Sequence, residues 1–490
     1  MLENLKLSGK LPKEEYNRIM ENLGVHLGLV QRKAREAKRP VILVFEGWRG
    51  ARRSLIINKM MQQMDARGFN VYSVVHLTEE ERQMPFFHYF WKHLPAKGNI
   101  SVYHRSWYYQ KNECEVSLRD ATHKWNATTF EHINTFEKEL TDDNYILLKF
   151  FLHVSEKKQK ENLAKNYKTL GKAWREVSPA YDETGRYEEF LERYEKMLAA
   201  TDTVNAPWHL ISANDSRQAQ IDIFTAIVEG IEAALKTKNV EEALPVYPNN
   251  SYDVLSTLAL DKDITKEEYK EKLDKYQERL TTLQIEMFRA KIPVVIGFEG
   301  WDAAGKGGAI RRLTAALDPL GFNVNPIAAP NVVERQFHYL WRFWTRLPRP
   351  GTVAIFDRTW YGRVMVERLE GFATAREWRR AYEEINDMEA QWAEHGIAIA
   401  KFWLQIDKDE QYRRFKEREE NPYKTWKITD EDWRNREKWD AYEGAVNEML
   451  VRTNTEHAPW TIVEGNNKYY ARLKILKTVI DLFEKKLGKD

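Results

Sequence analysis

The 490-residue sequence holds one cysteine, Cys114, so neither an internal disulfide nor a cysteine zinc site can form. That scarcity excludes the disulfide-stapled secreted class and points to a reducing compartment. Glu113 and Glu115 flank the thiol and disfavour a thiolate, which makes Cys114 a poor nucleophile. Long apolar runs are also missing: nothing approaches the roughly 18 residues of a membrane-spanning helix. The opening stretch Met1-Leu2-Glu3-Asn4-Leu5-Lys6 is mixed in charge and gives no expectation of a signal peptide. Net charge is nearly absent as well. Seventy-six Lys and Arg stand against 74 Asp and Glu, a balance of +2, so no global basic field announces nucleic acid. What remains is ample for a globular protein, with 43% hydrophobic residues for cores and 31% charged residues for surface. The expectation is a cytoplasmic protein without a membrane or nucleic-acid partner. At roughly 150 residues per domain, its length suits two to four domains.

An internal repeat organises the chain. Val41-Ile42-Leu43-Val44-Phe45-Glu46-Gly47-Trp48 recurs as Val294-Val295-Ile296-Gly297-Phe298-Glu299-Gly300-Trp301, an offset of 253 residues. The offset holds from Lys13-Glu14-Glu15-Tyr16 against Lys266-Glu267-Glu268-Tyr269 through Gly68-Phe69-Asn70-Val71 against Gly321-Phe322-Asn323-Val324. Farther on it becomes 252, where Lys149-Phe150-Phe151-Leu152 meets Lys401-Phe402-Trp403-Leu404. A repeat of this period means two copies of a whole domain, since solenoid units are far shorter. The division expected is 1–245 and 250–490, with the seam in the proline- and asparagine-rich stretch 244–250. Within the second copy an amphipathic helix from Lys266 to about Ala290 precedes an apolar strand at 292–298. Further strands are expected at 322–324, 353–356, 398–404 and 461–463, with charged helices between them. Strands alternating with helices imply an α/β fold with a mostly parallel sheet covered on both faces.

After the first strand of the second copy comes Gly300-Trp301-Asp302-Ala303-Ala304-Gly305-Lys306-Gly307, the G-x-x-x-x-G-K pattern of a P-loop. Glycines let backbone N–H groups converge on phosphate oxygens, the helix start adds its positive end, and Lys306 supplies a mobile cation. The hydroxyl residue that usually follows the lysine as a metal ligand is Gly307 here, which leaves Asp302 and Asp357 as metal candidates. Asp357 ends a strand, where a Walker B aspartate belongs; a helix-capping aspartate is the plainer reading. Trp301 is a candidate either for the core or for packing beside a ligand. Residues 301–380 carry 13 Lys and Arg against 7 acids, a local excess that suits a polyanion although each arginine alone suits a solvated helix. A second basic cluster contains Arg414, Arg418, Lys424 and Lys427. The first copy differs where the chemistry would sit: Asp302, Gly305, Lys306 and Asp357 correspond to Arg49, Arg52, Arg53 and His104. An arginine in place of a loop glycine obstructs a phosphate nest.

Three motifs together resemble the polyphosphate kinase 2 family: Gly300 to Gly308, Phe356-Asp357-Arg358-Thr359-Trp360-Tyr361, and Pro422-Tyr423-Lys424-Thr425-Trp426-Lys427. The duplicated chain is similar to the family's two-domain polyphosphate:AMP phosphotransferases, in which the carboxy-terminal copy is catalytic. The resemblance implies a P-loop kinase-like fold in tandem and transfer of the terminal phosphoryl of inorganic polyphosphate to AMP, giving ADP, with Mg2+. It implies that Gly300, Gly305, Lys306, Gly307, Gly308 and Arg363 bind phosphates and that Asp302 and Asp357 organise the metal. Arg358 would neutralise transition-state charge, and Arg414, Arg418, Lys424 and Lys427 would form a basic lid over polyphosphate. Thr359 stands where many members have serine. The alternatives left open are an ATP-dependent nucleotide kinase and a non-catalytic polyphosphate-binding protein, with a homo-oligomer as a further possibility of assembly.

Overall fold

The computed structural model describes residues 1–7, 9–116, 124–170, 182–237, 253–423 and 425–489. Strands form where the sequence gives short runs that stay apolar on both faces, the mark of a parallel strand covered by helices on each side. In the second copy these are β6 (Val294–Gly300), β8 (Val353–Asp357) and β9 (Ala398–Gln405); β9 is buried at all its positions. The flanking β7 (Phe322–Pro326) and β10 (Trp460–Glu464) are only partly buried, as befits edges. The first copy repeats the set as β1 (Val41–Gly47), β2 (Phe69–Tyr72), β3 (Ile100–His104), β4 (Ile146–His153) and β5 (Trp208–Ser212). Both sheets are parallel throughout. Their orders, β2-β3-β1-β4-β5 and β7-β8-β6-β9-β10, are the same topology twice.

The β6 strand begins two residues later than its apolar run. Lys291 takes a left-handed turn (φ 54°), and the Ile292 N–H closes the preceding helix by donating to the Met287 carbonyl at 3.0 Å. That helix, Lys266–Arg289, packs along the carboxy-terminal helix Lys468–Lys486; Lys13–Glu36 and Ser216–Lys236 pair likewise in the first unit. The compact units are Met1–Val240 with Asn331–Trp341, and Glu241–Pro330 with Arg342–Asp490. The expected seam at 244–250 lies outside the described residues. Among the described residues no helix is long and apolar enough to cross a membrane.

Each sheet is pinned by a buried charge. Lys401, on β9, is 1% exposed; its Nζ donates to Glu389 Oε2 (2.8 Å), the Tyr361 hydroxyl (2.7 Å) and the Thr453 carbonyl (2.8 Å). Burial pulls the lysine pKa down, and the facing Glu389 carboxylate pulls it back. The first copy reproduces the arrangement with Lys149, Glu137, Tyr108 and Thr201. Deleting one member of such a pair strands the other charge, at a cost of roughly 3–5 kcal/mol. Lys401→Met should therefore destabilise by about that amount in urea unfolding, and adding Glu389→Leu should restore much of the loss. A single-variant cost below about 1 kcal/mol would show that the pair is not a stabilising element.

Candidate functional site

In an open parallel sheet, ligands bind beyond the carboxyl ends of the strands where the strand order reverses. In the second copy the chain leaves β6 for β7 and β8 on one side, then crosses to β9 on the other, so the crevice lies at the ends of β6 and β8. Phe298 pairs with Asp357, which sets Gly300 and Asp357 at neighbouring strand ends. Gly300 has φ 147°, and a Cβ there would lie 2.6 Å from the Leu404 carbonyl oxygen, so only glycine allows the strand to turn into the loop. Gly305, at φ 113°, precedes the helix Lys306–Thr314. A Cβ at Gly308 would meet the Arg472 guanidinium at 3.3 Å, whereas one at Gly307 would meet nothing within 4 Å. Lys306 folds back over the loop, its Nζ donating to the carbonyls of Gly300 (2.6 Å) and Trp301 (3.2 Å).

Asp302 faces the same crevice. Its carboxylate accepts from Asn435 Nδ2 at 3.1 Å and lies 3.4 Å from Arg358 NH2, while Gln411 holds its main-chain carbonyl at 3.1 Å. Arg358 is 55% exposed and sits in the left-handed region (φ 65°), a conformation that costs a non-glycine residue about 1–2 kcal/mol. Burial opposes its charge, but the carboxylates of Asp302, Glu299 and Asp357 outweigh that and raise its pKa. Glu299 is buried and ties the loop strand to the segment after β8, accepting from the Thr359 N–H and hydroxyl, both at 2.7 Å. Thr359 thus does what serine would do: Ser106 makes the same two bonds to Glu46 in the first copy.

Other expected residues are placed differently. Arg414, anticipated on a basic lid, is 2% exposed. Its guanidinium donates to the carbonyls of Ala303 (3.0 Å), Ala304 (2.9 Å), Gly465 (2.6 Å) and Asn466 (3.0 Å) and pairs with Glu410. It braces the loop from behind, with no donor left for a polyanion. Arg363 is largely buried in an ion pair with Glu367 at 3.2 Å. Arg418 is half-buried on the helix Lys408–Glu420. Lys427 ends the short helical turn Thr425–Lys427, and Lys424 lies outside the described residues. Trp301 is buried, stacks on Trp439 (3.7 Å between ring centres, 7° between planes) and also lines the cleft beside Asp302. Asn435 had no signal in the sequence; Gln411 had one, its retention as Gln159 at the 252 offset.

The metal candidates fit a hydrated ion. Among the described residues no cluster of three or more His, Cys, Asp or Glu could cage a metal. Asp302 and Asp357 both act on Arg358, and Mg2+ characteristically takes one or two carboxylates with water and substrate phosphates.

In the first copy the corresponding positions satisfy one another. Arg53 NH1 donates to the Gly47 carbonyl at 2.5 Å, occupying the place of Lys306. Arg52, where Gly305 stands in the other copy, donates to Asn162 Oδ1 at 3.1 Å, and Asn162 in turn donates to the Gly50 carbonyl at 3.0 Å. Arg49 pairs with Asp182 at 3.0 Å. His104 lies 3.3 Å from the Ser54 hydroxyl; burial and the guanidinium groups of Arg53 and Arg105 push its pKa down to about 3. Folded His104 stays neutral where the unfolded chain would bind a proton, so its contribution is full above about pH 6.5 and fades as pH falls toward 3. Wild type should lose thermal stability between about pH 7 and 4 more steeply than His104→Gln. Parallel curves would show that His104 carries no such linkage.

Comparison with known proteins accounts for the duplication. The polyphosphate kinase 2 family matches residues 10–239 and again 263–490. A polyphosphate:AMP phosphotransferase of Pseudomonas aeruginosa is 39% identical, with both chains covered in full. One of Pseudomonas syringae pv. tomato is 38% identical over 100% of this chain and 99% of its own. A crystal structure of a Pseudomonas aeruginosa protein described as a polyphosphate kinase 2 superposes with a TM-score of 0.88 at 39% identity over both whole chains. With two matches that together span nearly its whole length, this chain belongs to the polyphosphate kinase 2 family.

Proposed function

We propose that the chain transfers the terminal phosphoryl group of inorganic polyphosphate to AMP, forming ADP, and that the second copy performs the reaction. The observation carrying this reading is the contrast between copies. In the second, Gly300, Asp302 and Arg358 line an open crevice, with Lys306 at the end of the same loop and Asp357 at the end of β8; in the first, Arg49, Arg52, Arg53 and His104 stand at the corresponding positions. The full-length relatives named polyphosphate:AMP phosphotransferase support the substrates. On this reading 250–490 is the catalytic domain and 1–245 a non-catalytic one, in a cytoplasmic enzyme.

Phosphoryl transfer needs alignment and charge neutralisation more than covalent chemistry. The loop amides and the start of the helix Lys306–Thr314 bind the terminal phosphate of the donor. Lys306 exchanges its two carbonyl partners for phosphate oxygens, which lie within the reach of a flexible side chain. Asp302, oriented by Asn435, and Asp357 would hold Mg2+. When bound, the ion would supply charge neutralisation at the reacting phosphates. Arg358 faces both carboxylates and balances the charge that develops on the transferring group. An anionic oxygen of AMP attacks the terminal phosphorus, the bond to the penultimate phosphate's bridging oxygen breaks, and the shortened polyphosphate leaves as an anion. No proton transfer is required.

Polyphosphate should support ADP formation from AMP, and EDTA should stop it. If ATP serves equally well as donor, an ordinary nucleotide kinase is the better description. Lys306→Ala or Asp357→Asn should lower turnover at least about a hundredfold, whereas His104→Gln should stay within a few-fold. Equal losses in both copies would refute a single competent site. Arg358→Gly should show a trade-off: turnover falls at least about a hundredfold while the melting temperature rises, because a left-handed position no longer carries a Cβ. A variant that loses both would show that the arginine supports the fold instead.

A further inference from the structure

Two glycines at the site have no reason in the fold to be glycine. Gly307 lies inside the helix Lys306–Thr314, where glycine costs roughly 1 kcal/mol relative to alanine. Its bare backbone is explained by the phosphate nest it belongs to. Gly362 is not so explained. It sits in the helical turn Trp360–Arg363 outside the left-handed region, and a Cβ there would meet only Val366 Cγ1, at an ordinary 3.8 Å. Neither backbone nor packing forbids a side chain. What Gly362 does is line an open cleft beside Asp302 and Arg358, walled by Met365, Val366 and Tyr442. The first copy has Tyr109 at this position; its side chain is buried, and Arg105, the counterpart of Arg358, lies 4.4 Å over its ring. A side chain there therefore occupies the space next to the arginine.

The charge of the cleft identifies its guest. Among the described residues its lining includes the carboxylates of Glu299, Asp302 and Glu431 and the guanidinium of Arg358. A polyphosphate chain would be repelled by such walls, whereas a neutral nucleoside with its one phosphate directed at Arg358 would not. We propose that Gly362 is a specificity-determining residue for the acceptor: its missing side chain leaves the space that the nucleoside of AMP fills, over the apolar wall of Met365 and Val366. The inference rests on AMP being the acceptor.

The test uses Gly362→Ala and Gly362→Tyr in the full-length chain. Steady-state kinetics would give KM for AMP and for polyphosphate separately, and calorimetry would give AMP binding. Gly362→Ala should raise KM for AMP several-fold with an unchanged melting temperature. Gly362→Tyr should raise it by about a hundredfold or abolish AMP binding, while KM for polyphosphate stays within about twofold in both. An unchanged KM for AMP in the alanine variant overturns the proposal even if the tyrosine variant does not fold, and so does a parallel rise in both KM values. If wild type makes no ADP from AMP and polyphosphate, the functional reading fails. Calorimetry then decides the cleft separately: AMP bound by wild type and not by Gly362→Tyr upholds the assignment, and equal binding ends it.

Discussion

The structure hangs on an ammonium group held away from water. Lys401 joins β9 to the helix Ala375–Glu394 through Glu389, to the segment after β8 through Tyr361, and to the end of the helix Trp439–Arg452 through Thr453. A charge at 1% exposure persists only when every donor finds a partner, so the four elements are held together as one requirement. The segment after β8 carries Arg358 and Gly362, and its geometry follows from that anchoring and from the Glu299 bonds to Thr359. The first copy has the same anchor and glutamate tie, while its loop carries Arg49, Arg52 and Arg53 where the second has Asp302, Gly305 and Lys306. Fold and site have separate supports, and only one set diverged.

Much of this was legible in the sequence because it depends on local pattern. Central strands are covered on both faces, so they read as uninterrupted apolar runs; the P-loop glycines show where backbone must turn left-handed or admit another chain; Asp357 could be placed because it ends such a run. Arg414 could not be read correctly. An arginine in a charged helix looks exposed, and its burial follows only once the loop carbonyls of Ala303 and Ala304 curve over it. Asn435 was equally invisible, because its contact with Asp302 spans 133 residues of sequence and has no spacing rule. Gly362 had no signal because it lies in a turn, where glycine needs no explanation until the space around it is known.

The two copies also differ in which residue carries each charge. Around the second-copy loop, the carboxylate is on the loop as Asp302 and the bracing guanidinium is behind it as Arg414. In the first copy the loop bears Arg49 and Arg52, while the partners behind it are Asp182 and Asn162. In each arrangement the loop's charged side chains find partners, and a mixture of the two would leave either bare carbonyls or a crowded pair of cations.

That consistency gives the duplication a direction in time. Restoring glycine at Arg52 would reopen the turn, yet Asn162 would lose its bond from Arg52, and its bond to the Gly50 carbonyl cannot replace the several bonds that Arg414 makes. Placing arginine at 162 first would set two guanidinium groups against each other. Either single step passes through a less stable chain, so the change behaves as a ratchet: each copy can drift further along its own path, but neither returns to the other's by one substitution at a time.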